Sequence, residues 1–174
     1  MILSIETATP FLVVGLVGQS VADERVERVE RAHAERLPAI AEDFLRRDLD
    51  LVVIGTGPGS YTGVRVGASY ALGVARARGV TVKGVSTLEA IAAKGEGPVA
   101  VSLDARKDFV YGARYEVANG IVTRVIDEPA KLSLAEFEAR AKGFSWLRDE
   151  APGGVALARL GEARGRTDWA LSYL

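Results

Sequence analysis

The stretch LSIETATPFLV, residues 3–13, returns in the second half of the chain as VSLDARKDFVY, residues 101–111. The two copies align at a constant offset of 98 residues, which places the acidic Glu6 opposite the acidic Asp104. Each copy is typical of a buried strand, a short turn and a second strand. The order of the predicted elements also agrees over roughly 45 residues, which favours an internal duplication over a chance alignment of a few residues.

Hydrophobic periodicity predicts three strands followed by helices in each copy. The helix that contains Leu37 and Leu45 also contains Pro38, which a helix tolerates in its first turn. In the second copy, Ser133 and Glu136 predict a capping box, in which the hydroxyl and the carboxylate each accept a terminal backbone N–H. The predicted elements are strands at residues 1–6, 11–17, 51–54 and 81–85, half-buried edge strands at 21–29 and 121–127, and helices at 37–45, 61–78 and 154–165.

A duplicated unit of three strands and a helix is the plan of the actin-like, RNase H-like (ASKHA) superfold, in which two lobes enclose a nucleotide cleft. We therefore predict an α/β protein with two β-β-β-α lobes. The N-terminal lobe is expected to span residues 1–96 and to carry partner-binding helices. The C-terminal lobe, residues 97–174, is expected to be smaller, because its copy contains fewer elements.

The composition excludes several classes of function. The 174 residues include no cysteine and one histidine, so disulfides, thiolate metal sites and metal sites with two or three histidines are excluded. A net charge of -1 argues against autonomous nucleic-acid binding, which requires clustered Lys and Arg. Asparagine, glutamine and methionine occur once each, a scarcity that many thermophile proteins share and that a high-GC genome would also produce.

The apolar runs of the chain are short. The longest, Phe11 to Val17 and Leu51 to Ile54, fall far below the roughly 20 residues that a membrane span requires. The N-terminus also lacks the basic segment of a secretory signal. We therefore expect no membrane association and a cytoplasmic location.

The glycine-rich stretch GTGPGSYTG, residues 55–63, lies between a predicted strand and a predicted helix, where backbone N–H groups favour an anion. It matches neither a dinucleotide fingerprint nor a P-loop, and the surroundings of Ser60 do not match a nucleophile elbow. The alternative is a tight turn under close packing. The candidate anion- or nucleotide-binding residues are Glu6, Thr7, Gly57, Gly59, Ser60, Thr62 and Asp104.

The helix at residues 61–78 is apolar on nearly every side and carries a ridge of small residues at every fourth position, from Gly63 to Ala75. Such a ridge lets another helix approach closely, either within the chain or in a second subunit. His33 is interpreted as a capping or interface residue, since no second histidine or thiol accompanies it. The predicted partner or dimer interface comprises His33, Leu37, Ile40, Phe44, Gly63, Arg65, Gly67, Tyr70, Ala71 and Val74.

Five motifs together resemble the TsaB (YeaZ) family: ILSIETATP, HAERLPAI, GTGPGSYTGVRVGASYALGVA, GVSTLEAIA and DARKDFVYGARY. The resemblance extends from Met1 to about Tyr115. It implies an actin-like cytoplasmic bacterial protein that helps to make threonylcarbamoyladenosine next to the anticodon of certain tRNAs. It further implies a non-catalytic subunit that needs no cofactor, pairs with the catalytic paralogue TsaD through N-terminal helices, binds the ATPase TsaE, meets tRNA only within the complex and homodimerises when alone.

The catalytic paralogue carries a pair of metal-binding histidines four residues apart, and the resemblance places those positions at Thr87 and Ile91. Neither side chain binds a metal as imidazole does, which implies that this chain holds no metal. The family's second lobe is usually larger than the one here. The alternatives are a small-molecule kinase or ATPase that uses Glu6 and Asp104 with weakly bound ATP or ADP, and the peptidase once suggested for this wider family, for which no catalytic set is visible.

Overall fold

Two β-sheets, each built around one copy of the repeat, form the frame of the structure. The computed structural model describes residues 1–174. In chain order the elements are β1 (Ile2–Glu6), β2 (Phe11–Val17), β3 (Ala22–Arg28), α1 (His33–Leu45), β4 (Leu51–Gly55), α2 (Tyr61–Arg78), β5 (Thr81–Val85), α3 (Thr87–Ala92), β6 (Gly97–Asp104), β7 (Phe109–Ala118), β8 (Ile121–Ser133), α4 (Leu134–Arg140), β9 (Ser145–Arg148) and α5 (Gly154–Arg164).

The two sheets share one topology. The first has the strand order β3-β2-β1-β4-β5 and the second has the order β8-β7-β6-β9, so β6 takes the place of β1. In both sheets the first three strands of the copy pair antiparallel. The next strand, β4 or β9, runs parallel to the first strand of its copy, β1 or β6. The crossover helices α1 and α4 make that parallel pairing possible. The predicted duplication of a β-β-β-α unit is confirmed, and the second copy has one strand fewer.

The helices divide into an outer and an inner set. Helices α1 and α2 cover the outer face of the first sheet, where Leu12, Leu37 and Phe44 share one apolar core. Helices α3 and α5 lie between the two sheets, in a second core that joins Val53 of the first sheet to Val101 of the second. The boundary predicted between residues 96 and 97 falls between α3 and β6, and both inner helices pack across it.

Helix α5 returns to the lobe that contains the N-terminus. It packs on β1, β2 and β4, and Ser4 donates a hydrogen bond to the carbonyl of Gly154 at 2.7 Å. A Cβ atom on Gly15 would lie 2.4 Å from the carbonyl carbon of Gly154, so the sheet and the helix meet backbone to backbone. The C-terminal residues continue along β5, where Arg166 bridges to Gly84.

Two local predictions about helices were wrong. Helix α1 begins at His33, so Pro38 lies in the second turn and not in the first. Pro38 there leaves the carbonyl of Ala34 without an intrahelical donor. The predicted capping box is only half formed, because Ser133 accepts from the backbone of Glu136 while the Glu136 carboxylate accepts from Arg140 at 2.7 Å.

Residues 22–28 form the predicted edge strand, but the half-burial predicted for residues 21–29 is confined to Val21, Glu27 and Val29. Every residue of β3 except Glu27 is exposed, and Val26 retains 46% of its accessible surface. Helix α5 still contacts this strand, and the N–H of Val155 donates to the Glu24 carboxylate at 2.9 Å. No helix of the structure combines the length and the apolar character that crossing a membrane demands.

Candidate functional site

The glycine-rich loop before α2 is held by hydrogen bonds from within the chain. The N–H of Gly57 donates to the Thr87 hydroxyl at 3.0 Å, that of Ser60 to the Ala8 carbonyl at 2.7 Å, and that of Gly63 to the Ser60 hydroxyl at 3.1 Å. A free anion cradle would need such donors to be unpaired. The geometry therefore corresponds to the alternative interpretation, a close-packed turn.

Close packing also explains the glycines of this loop. Gly57 has a φ of 90°, which favours glycine, and a Cβ on Gly59 would lie 2.2 Å from the Ala8 carbonyl oxygen. The turn that follows β1 therefore fixes Gly59, whereas Gly57 is held by hydrogen bonds to Ser86 and Thr87. Among the predicted anion-binding residues of the loop region, only Ser60 and Thr62 are exposed.

Glu6 ends β1 and is completely buried. Its carboxylate accepts hydrogen bonds from the backbone N–H of Ala8 and, at 2.7 Å, from the hydroxyl of Thr87. Burial raises the pKa of the Glu6 carboxyl, although those hydrogen bonds oppose the shift. A Cβ on Gly55 would lie 1.6 Å from Glu6 Oε2, so the carboxylate is enclosed by the neighbouring strand. This setting makes Glu6 a buried structural group and not an open site for water or magnesium.

Thr7 and Asp104, the other two candidates near the strand ends, have different surroundings. The Thr7 hydroxyl is buried and donates to the Gly63 carbonyl at 2.7 Å. Asp104 is exposed, and its carboxylate accepts from the backbone N–H of Arg106 at 2.9 Å. Asp104 is thus a turn residue, and the equivalence of Glu6 and Asp104 in sequence does not extend to their environment.

Thr87 and Ile91, at which the family resemblance places the histidines of the catalytic paralogue, are both fully buried. Thr87 begins α3 and connects Glu6 to Gly57 through its hydroxyl. Ile91 lies one turn later in the apolar core between the sheets. Neither position borders an open cavity.

The ridge of small residues on α2 faces the interior of the chain. A Cβ on Gly63 would lie 2.1 Å from the Thr7 carbonyl oxygen, and one on Gly67 would lie 2.4 Å from Thr7 Oγ1. The ridge therefore allows close approach to the end of β1, and the expectation that it meets a second subunit is corrected. His33 is buried too, with Nε2 2.9 Å from the Thr9 carbonyl oxygen. The predicted interface residues that lie inside the chain are His33, Leu37, Phe44, Gly63, Gly67 and Ala71.

The opposite side of α2 forms an open groove with α1. The groove has a volume of about 540 Å³. Arg65 lies over the ring of Tyr61, 4.7 Å from its centroid, and Tyr61 is 58% exposed. Burial of the Tyr70 side chain against the helices raises the pKa of its hydroxyl. The lining residues are Ala34, Leu37, Tyr61, Thr62, Arg65, Val66, Ser69 and Tyr70.

The sequence identified part of this surface. Of the predicted interface residues, Arg65 is exposed, and Ile40, Tyr70 and Val74 are half-buried. Three apolar residues at the surface of α2 were missed, namely Tyr61, Val66 and Leu72. For Val66 the signal was a second row of residues four apart, Val66 to Tyr70 to Val74, and that row does not include Tyr61 or Leu72.

A smaller polar cavity of about 270 Å³ lies between β5, the end of α5 and the C-terminal residues. Its charges are paired within the chain. Arg164 lies 3.2 Å from Glu89, and Arg166 lies 2.6 Å from Asp168. Burial raises the pKa of Glu89, against the opposing charge of Arg164. Near this cavity the buried hydroxyl of Tyr115 lies beside Ser86 but makes no hydrogen bond of good geometry.

Comparison with known proteins gives one family. A family model described as TsaD, tRNA N6-adenosine threonylcarbamoyltransferase, matches residues 25–163. The tRNA threonylcarbamoyladenosine biosynthesis protein TsaB of Bacillus subtilis is 33% identical over 137 residues, which cover 73% of this chain and 60% of that protein. The TsaB protein of Escherichia coli is 34% identical over 126 residues, which cover 66% and 54%. The chain thus spans less than two thirds of the length of these relatives.

Solved structures share the fold over nearly the whole chain. A structure described as YeaZ from Pseudomonas aeruginosa has a TM-score of 0.82 and 26% identity, with 99% of each chain covered. A second structure, described as an uncharacterized protein with similarity to peptidase YEAZ from Pseudomonas aeruginosa, has a TM-score of 0.84 and 24% identity, with 99% and 98% covered. Together with the family model, these structures confirm the predicted actin-like, RNase H-like fold.

Proposed function

Because this chain belongs to the TsaB (YeaZ) family, we propose that it takes part in the biosynthesis of threonylcarbamoyladenosine in tRNA as a non-catalytic partner of a TsaD-type protein. The observation that carries the proposal is the burial of Thr87 and Ile91. Those are the positions at which the resemblance places the metal-binding histidines of the catalytic paralogue. A threonine bonded to Glu6 and an isoleucine in the core leave no imidazole there to hold a metal.

The groove between α1 and α2 is the surface we assign to the partner. It presents Tyr61, Val66 and Tyr70 side by side, with Leu72 nearby on the same helix and 49% exposed. Aromatic and aliphatic side chains around one arginine, here Arg65, are the composition that protein interfaces favour. We propose that TsaD binds here, and that the same face pairs two copies of the chain when TsaD is absent.

The net charge of the chain supports a proposal about which subunit binds the tRNA. A net charge of -1 provides little attraction for a phosphate backbone. We therefore propose that the tRNA is held mainly by TsaD, and that the ATPase TsaE joins the same complex. No cofactor bound to this chain is needed in this scheme, and its place in the cell is the cytoplasm, where tRNA is modified.

Mixing the purified chain with TsaD from the same organism tests the proposed surface. We expect a 1:1 complex in size-exclusion chromatography with light scattering, and its loss in Val66→Asp and in Tyr70→Arg, because each puts a charge into an apolar contact. Thr123→Arg, an exposed change on β8, is the matched control and should bind as the unchanged chain does. A complex that survives both groove variants would exclude this surface.

Transfer of the threonylcarbamoyl group to tRNA tests the non-catalytic role. We expect no modified adenosine when tRNA and the threonylcarbamoyl donor are incubated with this chain alone, and modification when TsaD and TsaE are added. Val66→Asp should abolish the stimulation while its circular dichroism spectrum stays unchanged. Modification by the chain alone would refute the proposal.

Nucleotide binding is the alternative function that the fold keeps open. Calorimetry with ATP and magnesium at millimolar concentration separates it from the scaffold role. We expect no binding heat, since the N–H groups of Gly57, Ser60 and Gly63 are already bonded within the chain. A saturable heat that Glu6→Gln removes would favour a kinase or ATPase.

A further inference from the structure

The first sheet has one covered edge and one open edge. At the β5 edge, Arg166 pairs with Gly84 through both backbone groups, and the Trp169 indole donates to the Val82 carbonyl at 3.2 Å. At the opposite edge, β2 is the only strand that pairs with β3, and Val26 is 46% exposed. An uncovered edge strand is a template for pairing with another strand.

The direction of the free backbone groups follows from the pairing of β2 and β3. Gly18 donates to the Val21 carbonyl and Val29 donates to the Pro10 carbonyl, so the odd-numbered residues of this strand point their backbone groups towards β2. Hydrogen-bonded pairs alternate along an antiparallel ladder. The N–H and C=O groups of Ala22, Glu24, Val26 and Arg28 therefore point outward to the open edge.

From Glu24 to Arg28, the signs of the charges on β3 are reversed on the two sides of Val26. The sequence Glu24-Arg25-Val26-Glu27-Arg28 reads negative, positive, neutral, negative, positive. We propose that β3 pairs with β3 of a second copy of this chain, antiparallel, with a two-fold axis at Val26. Glu24 then lies opposite the partner's Arg28 and Arg25 opposite the partner's Glu27, so each opposite-charge pair occurs twice.

The outward backbone groups also select this register. Pairing two even-numbered residues at Val26 forms hydrogen bonds on both sides of the axis. Moving the axis to Glu24 would place two Glu24 carboxylates opposite each other, and moving it to Arg25 would do the same for two arginines. Like charges directly opposite each other destabilise a sheet. The axis at Val26 avoids both contacts and joins the two Val26 side chains.

Ion pairs within the chain are compatible with this arrangement. Glu27 accepts two hydrogen bonds from Arg36 at 2.9 Å, and Arg28 lies 2.7 Å from Glu30. Arg25 lies 2.9 Å from Asp23, and the Glu24 carboxylate accepts from the Val155 N–H at 2.9 Å. The side chains of these ion pairs are at least 40% exposed, and exposed pairs hold little free energy. A carboxylate has acceptor positions for two guanidinium groups, so each pair can be shared across the axis.

Cysteine cross-linking tests the pairing, because the chain has no cysteine of its own. In the proposed dimer the two Val26 Cα atoms lie about 5.5 Å apart, within the range of a disulfide. We expect Val26→Cys to form a covalent dimer under mild oxidation at least about tenfold faster than Ala22→Cys. Ala22 is exposed on the same strand, but the register keeps the two copies of it far apart. Equal rates for the two variants would overturn the proposal.

Charge exchange gives a second test and separates this edge from the groove of α1 and α2. In the Tyr70→Arg background, where the groove can no longer pair two copies, we expect Arg28→Glu to weaken self-association in sedimentation equilibrium about tenfold, and the exchange Glu24→Arg with Arg28→Glu to restore it. Tyr70→Arg removes any groove-mediated dimer and should leave the Val26→Cys cross-link unchanged. A dimer that resists Arg28→Glu and disappears in Tyr70→Arg would overturn pairing through β3 while leaving the proposed TsaD surface intact.

Discussion

Thr87 connects three segments of the fold through one hydroxyl group. The hydroxyl donates to the Glu6 carboxylate and accepts from the Gly57 N–H, and Thr87 is the first residue of α3. Thr87→Val keeps the shape and removes both bonds, which leaves a buried carboxylate oxygen and a buried N–H unpaired. We expect the free energy of unfolding in urea to fall by about 2–3 kcal/mol.

Thr123→Val is the matched control for that change. Thr123 is exposed and donates to the Glu116 carbonyl, so water can replace its hydrogen bond. Its unfolding free energy should change by less than about 0.5 kcal/mol. Equal effects at the two threonines would show that Thr87 is not a structural junction.

The Glu6 carboxyl predicts a dependence of stability on pH. Burial raises its pKa in the folded chain above the ordinary value of 4.5. The stability that such a group contributes is fully present at pH values below its pKa in the unfolded chain. It is lost as the pH rises through the pKa of the group in the folded chain. We expect the unfolding free energy of the unchanged chain to fall relative to that of Glu6→Gln as the pH rises above 4.5.

Comparing the unchanged chain with Glu6→Gln isolates the contribution of the Glu6 carboxyl to stability. Glu89 also has a pKa raised by burial, but it is present in both chains and cancels from the difference. Glu138→Gln, an exposed change on α4, serves as the control. A constant difference between the unchanged chain and Glu6→Gln across that pH range would contradict the prediction.

At the scale of one element, α2 is defined by its two faces. Gly67 faces Thr7, whereas Gly73 has nothing within 4 Å of the position of a Cβ. We expect Gly67→Ala to destabilise the chain by about 1–3 kcal/mol, because the methyl group would push the helix from the sheet. Gly73→Ala should stabilise it by about 0.5–1 kcal/mol, because alanine restricts the unfolded chain. Thermal unfolding of the pair measures both signs, and equal signs would refute the two-faced description.

The limits of α2 could be predicted from sequence because they depend on neighbouring residues. Ser60 caps the first turn, and Gly79 ends the helix with a φ of 68°. The direction of the small-residue face could not be predicted, since a row of glycines allows close approach by a sheet and by a helix alike. The same limit applies to Glu6, whose buried partner Thr87 is 81 residues away.

At the scale of the molecule, the two lobes share one interior. The core between the sheets combines Val53 of the first lobe, Val101 of the second and Leu157 of α5. We expect one cooperative unfolding transition, with coincident fluorescence and circular dichroism curves. A fragment of residues 1–96 should be unfolded, because one face of its sheet would lack α5. Two separate transitions, or a folded fragment 1–96, would contradict this.

The contact between Ser4 and Gly154 joins residues that are 150 positions apart. On the ribosome, at about 5–20 residues per second, Gly154 follows Ser4 by roughly 8–30 s. Val53 meets Gly161 in the finished structure and is made 108 residues before it, so its strand lacks the covering helix for roughly 5–22 s. The nascent N-terminal half therefore exposes an apolar sheet face while translation continues, and α5 closes that face only after residues 154–164 have been made.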